Sequence, residues 1–517
     1  MSRELNSTLK TVVKGTSLIL FGMVAGHLLW FAIKVLIVRS MTVEEFGLYS
    51  LSITVASVIT AVSLLGVPEG TARNISTLRG QDRQGEVMPL ARASFQISLV
   101  SGVAASVALF ALAGPVASHV FYKPAMAAPL RVVAAAVLVD ALSQSFGGVL
   151  RGHGIVRHRV FYQDMGRPLF FLAFLGAVLL RGYSFMGVMY AFTLAAALVF
   201  VFISGYEYRK QGMPPLSLRR GSHYGELLRF SLPLLVASLS ELVMIWTDTL
   251  MLGRYTPPES VGIYNAGMSL ARLLTFALGA MGFVFLPLAT ELHARGQAEE
   301  IRKDYQVLTK WVFAATFPLF FILFFFPETT ITFLFGDRLL ESSAPLRVLA
   351  LAFLFHVFLG TNGVLLMAMG MTGTLMRISI LGAAVNVALN YVLIKRVGMG
   401  VMGASLATLV SYAAINVVVS AALYRASGVH PFTAKYLKPL AGASAIGLVL
   451  YALAKTVAFS LWLMPLYLVL FVGGYALSLL LSGSLDGDDM ALFEAISLRT
   501  GMRMEPIRKL LQRFARE

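Results

Sequence analysis

Apolar residues in this chain fall in long unbroken runs, separated by short polar stretches, from one end to the other. An α-helix needs roughly 20 such residues to cross the hydrocarbon layer of a bilayer. The runs are continuous rather than alternating, which excludes lipid-facing strands. About fourteen spans are predicted, near 15–38, 46–67, 89–113, 130–150, 160–181, 183–206, 229–253, 260–290, 306–327, 345–369, 376–394, 402–424, 436–458 and 464–481. The first run exceeds a signal-peptide core and lacks a small-residue cleavage site, so it reads as a true span. The pattern predicts an all-α polytopic membrane protein.

The spans repeat. The pentapeptide APLRV occupies Ala128–Val132 and returns at Ala344–Val348, an offset of 216. Arg39, Glu44, Gly47 and Tyr49 match Arg254, Glu259, Gly262 and Tyr264 at an offset of 215. Gly147 and Leu150 match Gly363 and Leu366, and Gly182, Met186 and Gly187 match Gly398, Met402 and Gly403, all at 216. A repeat of six spans preserves membrane orientation. The expected architecture is therefore two parallel six-helix lobes around a central cavity, related by a pseudo-twofold along the membrane normal. The N-terminal lobe covers residues 1–210 and the C-terminal lobe 211–430. Residues 431–485 hold two extra transmembrane helices with no counterpart. Residues 486–517 read as a cytoplasmic basic amphipathic tail, opened by Asp486, Asp488 and Asp489 as helix N-terminal charges. The APLRV copies read as register marks that open the fourth span of each lobe, not as binding sites.

Composition agrees with a membrane class. Of 517 residues 57% are hydrophobic and only 13% charged, roughly half the charged share of a soluble domain. The net charge of +16 reads as basic loops on anionic headgroups, and no nucleic-acid partner is expected. Most of the 42 Lys and Arg residues fall in one alternating set of loops. That asymmetry predicts a multi-pass membrane protein with both termini in the cytoplasm. The chain has no cysteine, which removes disulfides, thiol catalysis and cysteine-based metal sites. Gly398-x-Gly400-x-x-Gly403 fits a dinucleotide fingerprint in spelling, but it follows no soluble strand and has no acid about 20 residues on. The acids near Asp486 have no soluble catalytic domain around them. No Walker loop, HExxH or nucleophile elbow occurs. No catalytic residue, metal or cofactor is expected, the chain is not read as an enzyme, and active transport would draw on H+ or Na+ gradients or on substrate supply.

The chemistry is expected at ionisable groups inside spans, each costing at least ~2.5–3.5 kcal/mol at mid-bilayer on insertion scales. His27 and Lys34 lie seven apart on the first span, and Glu241 and Asp248 lie seven apart on the seventh. The repeat offset sets His27 beside Glu241 and Lys34 beside Asp248. Cross-lobe pairing of Lys34 with Asp248 is expected if the two spans face each other, with snorkelling to headgroups as the rival for Lys34. Arg272 on the eighth span suits a phosphate or pyrophosphate, whose oxygens match a planar guanidinium. Asp164 and Arg167, one turn apart, are expected to form a local salt bridge near the interface. Asp140 and His356 align at 216 and either line a cavity or hydrogen-bond between helices. The cluster Phe320, Phe321, Phe324, Phe325 and Phe326 reads as lipid-facing bulk.

The stretches RSMTVEEFGLYSL, DTLMLGRYTPPESVGIYNAG, LPLATELHARG, APLRVLAL and NVALNYVLIKRVGMGVMGASLATLVSY resemble the polysaccharide-biosynthesis (Wzx-type) flippases. That family belongs to the superfamily that also holds the multidrug extruders and lipid II flippases. The resemblance covers roughly residues 10–480. It implies flipping of a polyprenyl-(pyro)phosphate-linked oligosaccharide by alternating access, with cationic cavity residues for the anionic substrate. Arg272, Lys34 and His27 match that role in kind, and Asp248 takes the place of an acid common near the end of the seventh span in these relatives. It also implies partners among membrane lipids and the glycan polymerase and glycosyltransferases of the same pathway. The rival transporters are a cation-coupled drug extruder centred on the acidic stripe and a lipid II flippase. A membrane glycan polymerase or ligase needs a larger outer loop than 114–129 or 328–344 supplies.

Overall fold

The computed structural model describes residues 22, 24–155, 160–211, 223–456, 464–481 and 489. Among them there is no strand. The helices in chain order are α1 (24–40), α2 (Val43–Ser63), α3 (Val67–Gly80), α4 (Val87–Pro115), α5 (Ala127–Gly152), α6 (Arg167–Leu180), α7 (Phe185–Gln211), α8 (Tyr224–Tyr255), α9 (Pro258–Ala271), α10 (Phe276–Ala294), α11 (Ala298–Phe325), α12 (Pro327–Phe335), α13 (Ser343–Phe358), α14 (Asn362–Ala368), α15 (Thr372–Asn390), α16 (Gly400–Ser427), α17 (Ala434–Thr456) and α18 (Met464–Leu481). A helix lies under each predicted span. Nine helices among the described residues are long and apolar enough to cross a membrane, with shorter apolar helices at 441–453 and 469–478. The figure of fourteen rests on the sequence.

By its internal contacts the chain divides into two compact units. The first comprises Leu18–Asn265 and Asn390–Val401; the second comprises Met1–Ser17, Ala266–Leu389 and Met402–Glu517. The boundaries follow packing, whereas the predicted 210/211 boundary follows the repeat. The difference is α8, the start of α9 and Asn390–Val401, which belong to the second half by repeat and to the first unit by contact.

In the first unit α5 is the hub, packed on α2, α3, α4 and α7. Phe95, Phe146, Leu142, Val149, Leu150, Ile203 and Leu227 form its apolar core. Three hydroxyls inside it form a chain, since buried polar groups gain from pairing: Thr71 donates to Ser94 (2.7 Å), whose hydroxyl meets that of Ser145 at 3.0 Å. Thr42 and Glu45 cap α2 reciprocally, each side chain accepting from the other's backbone N–H. Between α2 and α3 the chain turns through Leu65 (φ 52°) and Gly66 (φ 69°). Gly66 is required twice over there, by the left-handed backbone and by the carbonyl of Ser231 on α8, into which a Cβ would run.

Two contacts fasten the first unit at the far end of α8. Gly47 of α2 and Gly262 of α9, which are equivalent in the repeat, pack backbone to backbone. A methyl on Gly47 would overlap the Pro258 carbonyl oxygen, and one on Gly262 would sit 2.5 Å from that of Val43. Nearby, the Lys123 ammonium donates to the carbonyls of Phe121 (3.2 Å), Thr256 (2.9 Å) and Gly253, closing the C-terminus of α8 as a cation should. Burial pushes the Lys123 ammonium below its ordinary range, Glu259 opposes this, and Arg254 adds to it.

In the second unit the phenylalanine cluster corrects its expectation. Phe320, Phe321 and Phe326 are buried. Phe321 stacks on Phe471 of α18 (centroids 4.3 Å apart, 7° between planes) and Phe325 meets Tyr451 of α17 at 5.0 Å. The cluster is thus the seat of the two extra helices. Asp489 also differs from its expected role. Its carboxylate is wholly buried against α11, 2.6 Å from the Lys310 ammonium, and accepts from the Trp311 indole at 2.8 Å.

Candidate functional site

The first unit encloses a cavity of about 610 Å³, within the range of small-molecule sites. Helical spacing brings its lining together: Trp30 and Lys34 on α1, Tyr49, Ser50, Ile53, Ser57 and Thr60 on α2, Asp140 and Gln144 on α5, and Leu242 and Trp246 on α8. Arg167 enters at the first residue of α6, Phe192 from α7, and Asn265 from α9.

Arg167 and Asp140 form a two-pronged pair, Nη1–Oδ1 2.9 Å and Nη2–Oδ2 3.0 Å, the geometry in which guanidinium and carboxylate bind best. The guanidinium also lies 4.7 Å from the Phe192 ring centre. This replaces the local Asp164–Arg167 bridge. Asp164 lies in the π-helical turn Val160–Gly166, where the wider i→i+5 winding takes position i+3 off the face that an α-helix would give it. Lys34 is half-buried on the cavity wall, its ammonium 5.4 Å from the Phe46 ring centre. Among the described residues the lining holds two cations and one carboxylate, and that carboxylate is covered by one of the cations.

Asp248 lies on α8 with its carboxylate fully buried. Asn390 donates to it at 2.6 Å and so does the Tyr264 hydroxyl. Beside it, Asn265 donates to Thr249 at 3.1 Å, tying this cluster to the cavity wall. Sequence reasoning overlooked Tyr264 and Asn390 as site residues. The signal was present in Tyr264, the repeat partner of the cavity residue Tyr49, and in the Asn386/Asn390 spacing on α15, both asparagines being buried.

The remaining expected residues are more scattered. His27 is exposed on α1. Glu241 lies on α8, its side chain outside the described residues. Arg272 belongs to the second unit and is exposed at the 3-10 turn Arg272–Thr275 between α9 and α10. His356, also in the second unit, bonds through Nδ1 to the Asn416 side chain at 3.0 Å and packs on Tyr412, the interhelical alternative of its two expected roles. Among the described residues no cluster of three His, Asp or Glu side chains forms a metal site.

Comparison with known proteins places this arrangement. The model of the family described as "Polysaccharide biosynthesis protein" matches residues 12–293, and the MatE model matches residues 233–392. An uncharacterized membrane protein of Methanocaldococcus jannaschii is 22% identical over 211 residues, 40% of this chain and 42% of that protein. The teichuronic acid biosynthesis protein TuaB of Bacillus subtilis is 28% identical over 125 residues, 24% of this chain and 25% of TuaB. The chain thus aligns to less than half the length of either relative. The inward closed structure of the lipid II flippase MurJ superposes with a TM-score of 0.68 at 14% identity, covering 89% of this chain and 97% of that one, which establishes a shared fold.

Proposed function

The chain belongs to the polysaccharide biosynthesis protein family of membrane transporters and flippases, and we propose that it translocates a polyprenyl-(pyro)phosphate-linked oligosaccharide across the cytoplasmic membrane by alternating access. The observation that carries this reading is the cavity lined by Lys34 and Arg167, with the Asp140 carboxylate occupied by Arg167. A pyrophosphate headgroup finds Lys34 and the outer edge of Arg167 there. A cationic drug would need a carboxylate not already held by a guanidinium, and Asp140 is held at two points.

In this reading the repeat lobes 1–210 and 211–430 alternate access, both termini are cytoplasmic, and Arg272 and His27 are further phosphate-binding candidates on their own helices. Asp248 is the coupling group. Tyr264 and Asn390 donate to it, and H+ or Na+ arriving there changes the charge of the cluster. Glu241 shares the role on the same helix face. Glycosyltransferases and a polymerase supply and consume the substrate.

Export of lipid-linked glycan in cells tests the site. Lys34→Ala and Arg272→Ala are each expected to reduce export about tenfold or more, since a hydrogen bond to a charged group contributes about 1.5–3 kcal/mol. Wild-type export by both variants at normal expression would remove the site assignment. Drug susceptibility of a deletion strain separates the extruder: unchanged susceptibility together with lost surface glycan supports the flippase.

A further inference from the structure

A second cavity, of about 340 Å³, opens where α3, α4, α5 and α7 end on one edge of the first unit. Its polar lining is graded by depth. Arg79 and Gln84 are exposed, His153 is half-buried, and Glu207 is wholly buried. Both Glu207 carboxylate oxygens lack a hydrogen-bond partner among the described residues. Among the described residues the Arg79 guanidinium hydrogen-bonds the Gly152 carbonyl, at 3.3 Å. His153 Nδ1 donates to the Val149 carbonyl at 2.9 Å, which leaves Nε2 as the ring's other hydrogen-bonding atom. Met88, Val87 and Val149 supply an apolar wall.

Buried polar groups in a folded protein are nearly always satisfied, and a carboxyl with neither oxygen bonded is a rare exception. A bare metal cation bound at Glu207 would face Arg79 across the same small cavity. A bare phosphate on Arg79 would face Glu207. A group that carries both charges meets neither objection. We infer that this cavity binds a zwitterionic ammonium–phosphate group, with a primary ammonium donating to Glu207 and His153 Nε2 and the phosphate accepting from Arg79 and Gln84. The depth order agrees, with the donor-seeking carboxyl on the floor and the cation at the mouth. Such a group reaches the edge of a membrane protein as the ethanolamine phosphate headgroup of a phospholipid, or free in solution as phosphoethanolamine. Both have the same recognition chemistry. Trimethylated choline lipids lack the N–H donors, and phosphatidylglycerol lacks the cation.

Native mass spectrometry of the full-length detergent-purified protein tests this with phosphatidylethanolamine, phosphatidylcholine and phosphatidylglycerol of matched acyl chains. The ethanolamine lipid should be retained about tenfold over both others, the factor expected from one charge-assisted hydrogen bond. Glu207→Gln should abolish that preference. Arg79→Gln should weaken the ethanolamine lipid without improving the choline lipid. Displacement of the bound lipid by millimolar phosphoethanolamine identifies a soluble occupant of the same class, and resistance to displacement identifies the lipid. Equal retention of the three lipids by the unaltered protein overturns the inference, and this arm needs no variant to fold. A preference that survives Glu207→Gln overturns it as well.

Discussion

Asp489→Ala is expected to lower the thermal midpoint of the purified protein by several degrees, more than any other single change away from the helix cores. The substitution removes the partner of an ammonium that is only 4% exposed. Breaking a buried pair from one side costs about 3–5 kcal/mol, because the partner of a buried charge is removed while the charge stays out of water. Lys310→Ala should cost a similar amount by orphaning the carboxylate. The double variant Lys310→Met with Asp489→Leu should recover most of the loss, because the penalty belongs to the unpaired charge and not to the missing bond. Scanning calorimetry of the three proteins measures this. A second readout comes from Trp311, whose indole donates to Asp489: its emission should shift in both Asp489 variants. If the double variant is no more stable than the singles, the penalty does not come from the unpaired charge.

The second large effect is expected at the glycine crossing. Gly262→Val must place three carbons where the Val43 backbone stands, and Gly47→Val meets the Pro258 carbonyl in the same way. Neither neighbour is a side chain that can rotate aside. Overpacking of this kind typically costs about 1–3 kcal/mol, and it falls wholly on the arrangement in which α2 and α9 touch. A conformer with the two helices parted should gain by the same amount, which is a population shift of roughly five- to hundredfold. The chain has no cysteine, so a single Ser50→Cys on the cavity wall gives a clean reporter. Its reaction with a membrane-impermeant maleimide should accelerate about tenfold or more in the Gly262→Val background. An unchanged labelling rate with unchanged stability would falsify the role given to this crossing.

The two glycines also mark how far the sequence could be read. Their equivalence followed from the repeat offset, and so did the approximate helix ends, because both are encoded in local pattern. That the two positions touch is a tertiary fact that the offset does not contain. Arg167 makes the same point. Sequence spacing offered Asp164 as its partner, and a π-helical turn removed that partner and left Asp140, 27 positions away. No spacing rule reaches that far. The phenylalanines of α11 were misread for another reason: a helix face that meets lipid and one that meets an apolar helix have the same composition, since lipid tails and leucine are equally apolar. Glu207 escaped notice because it stands at a span end, where an acid ordinarily reaches water. Only the packing of α5 against α7 makes it a buried carboxyl.

The position of Lys123 has a consequence for biosynthesis. Its ammonium is satisfied by one carbonyl on its own loop and two at the end of α8, some 130 residues later in the chain. While the chain is being made, α4 and α5 enter the membrane well before those acceptors exist. The loop from Phe121 to Met126 must wait, solvated, for the second half to arrive. Assembly of this corner is therefore a late event that joins the two halves, and a nascent chain stopped before α8 should remain open to protease at this loop while its helices are already inserted.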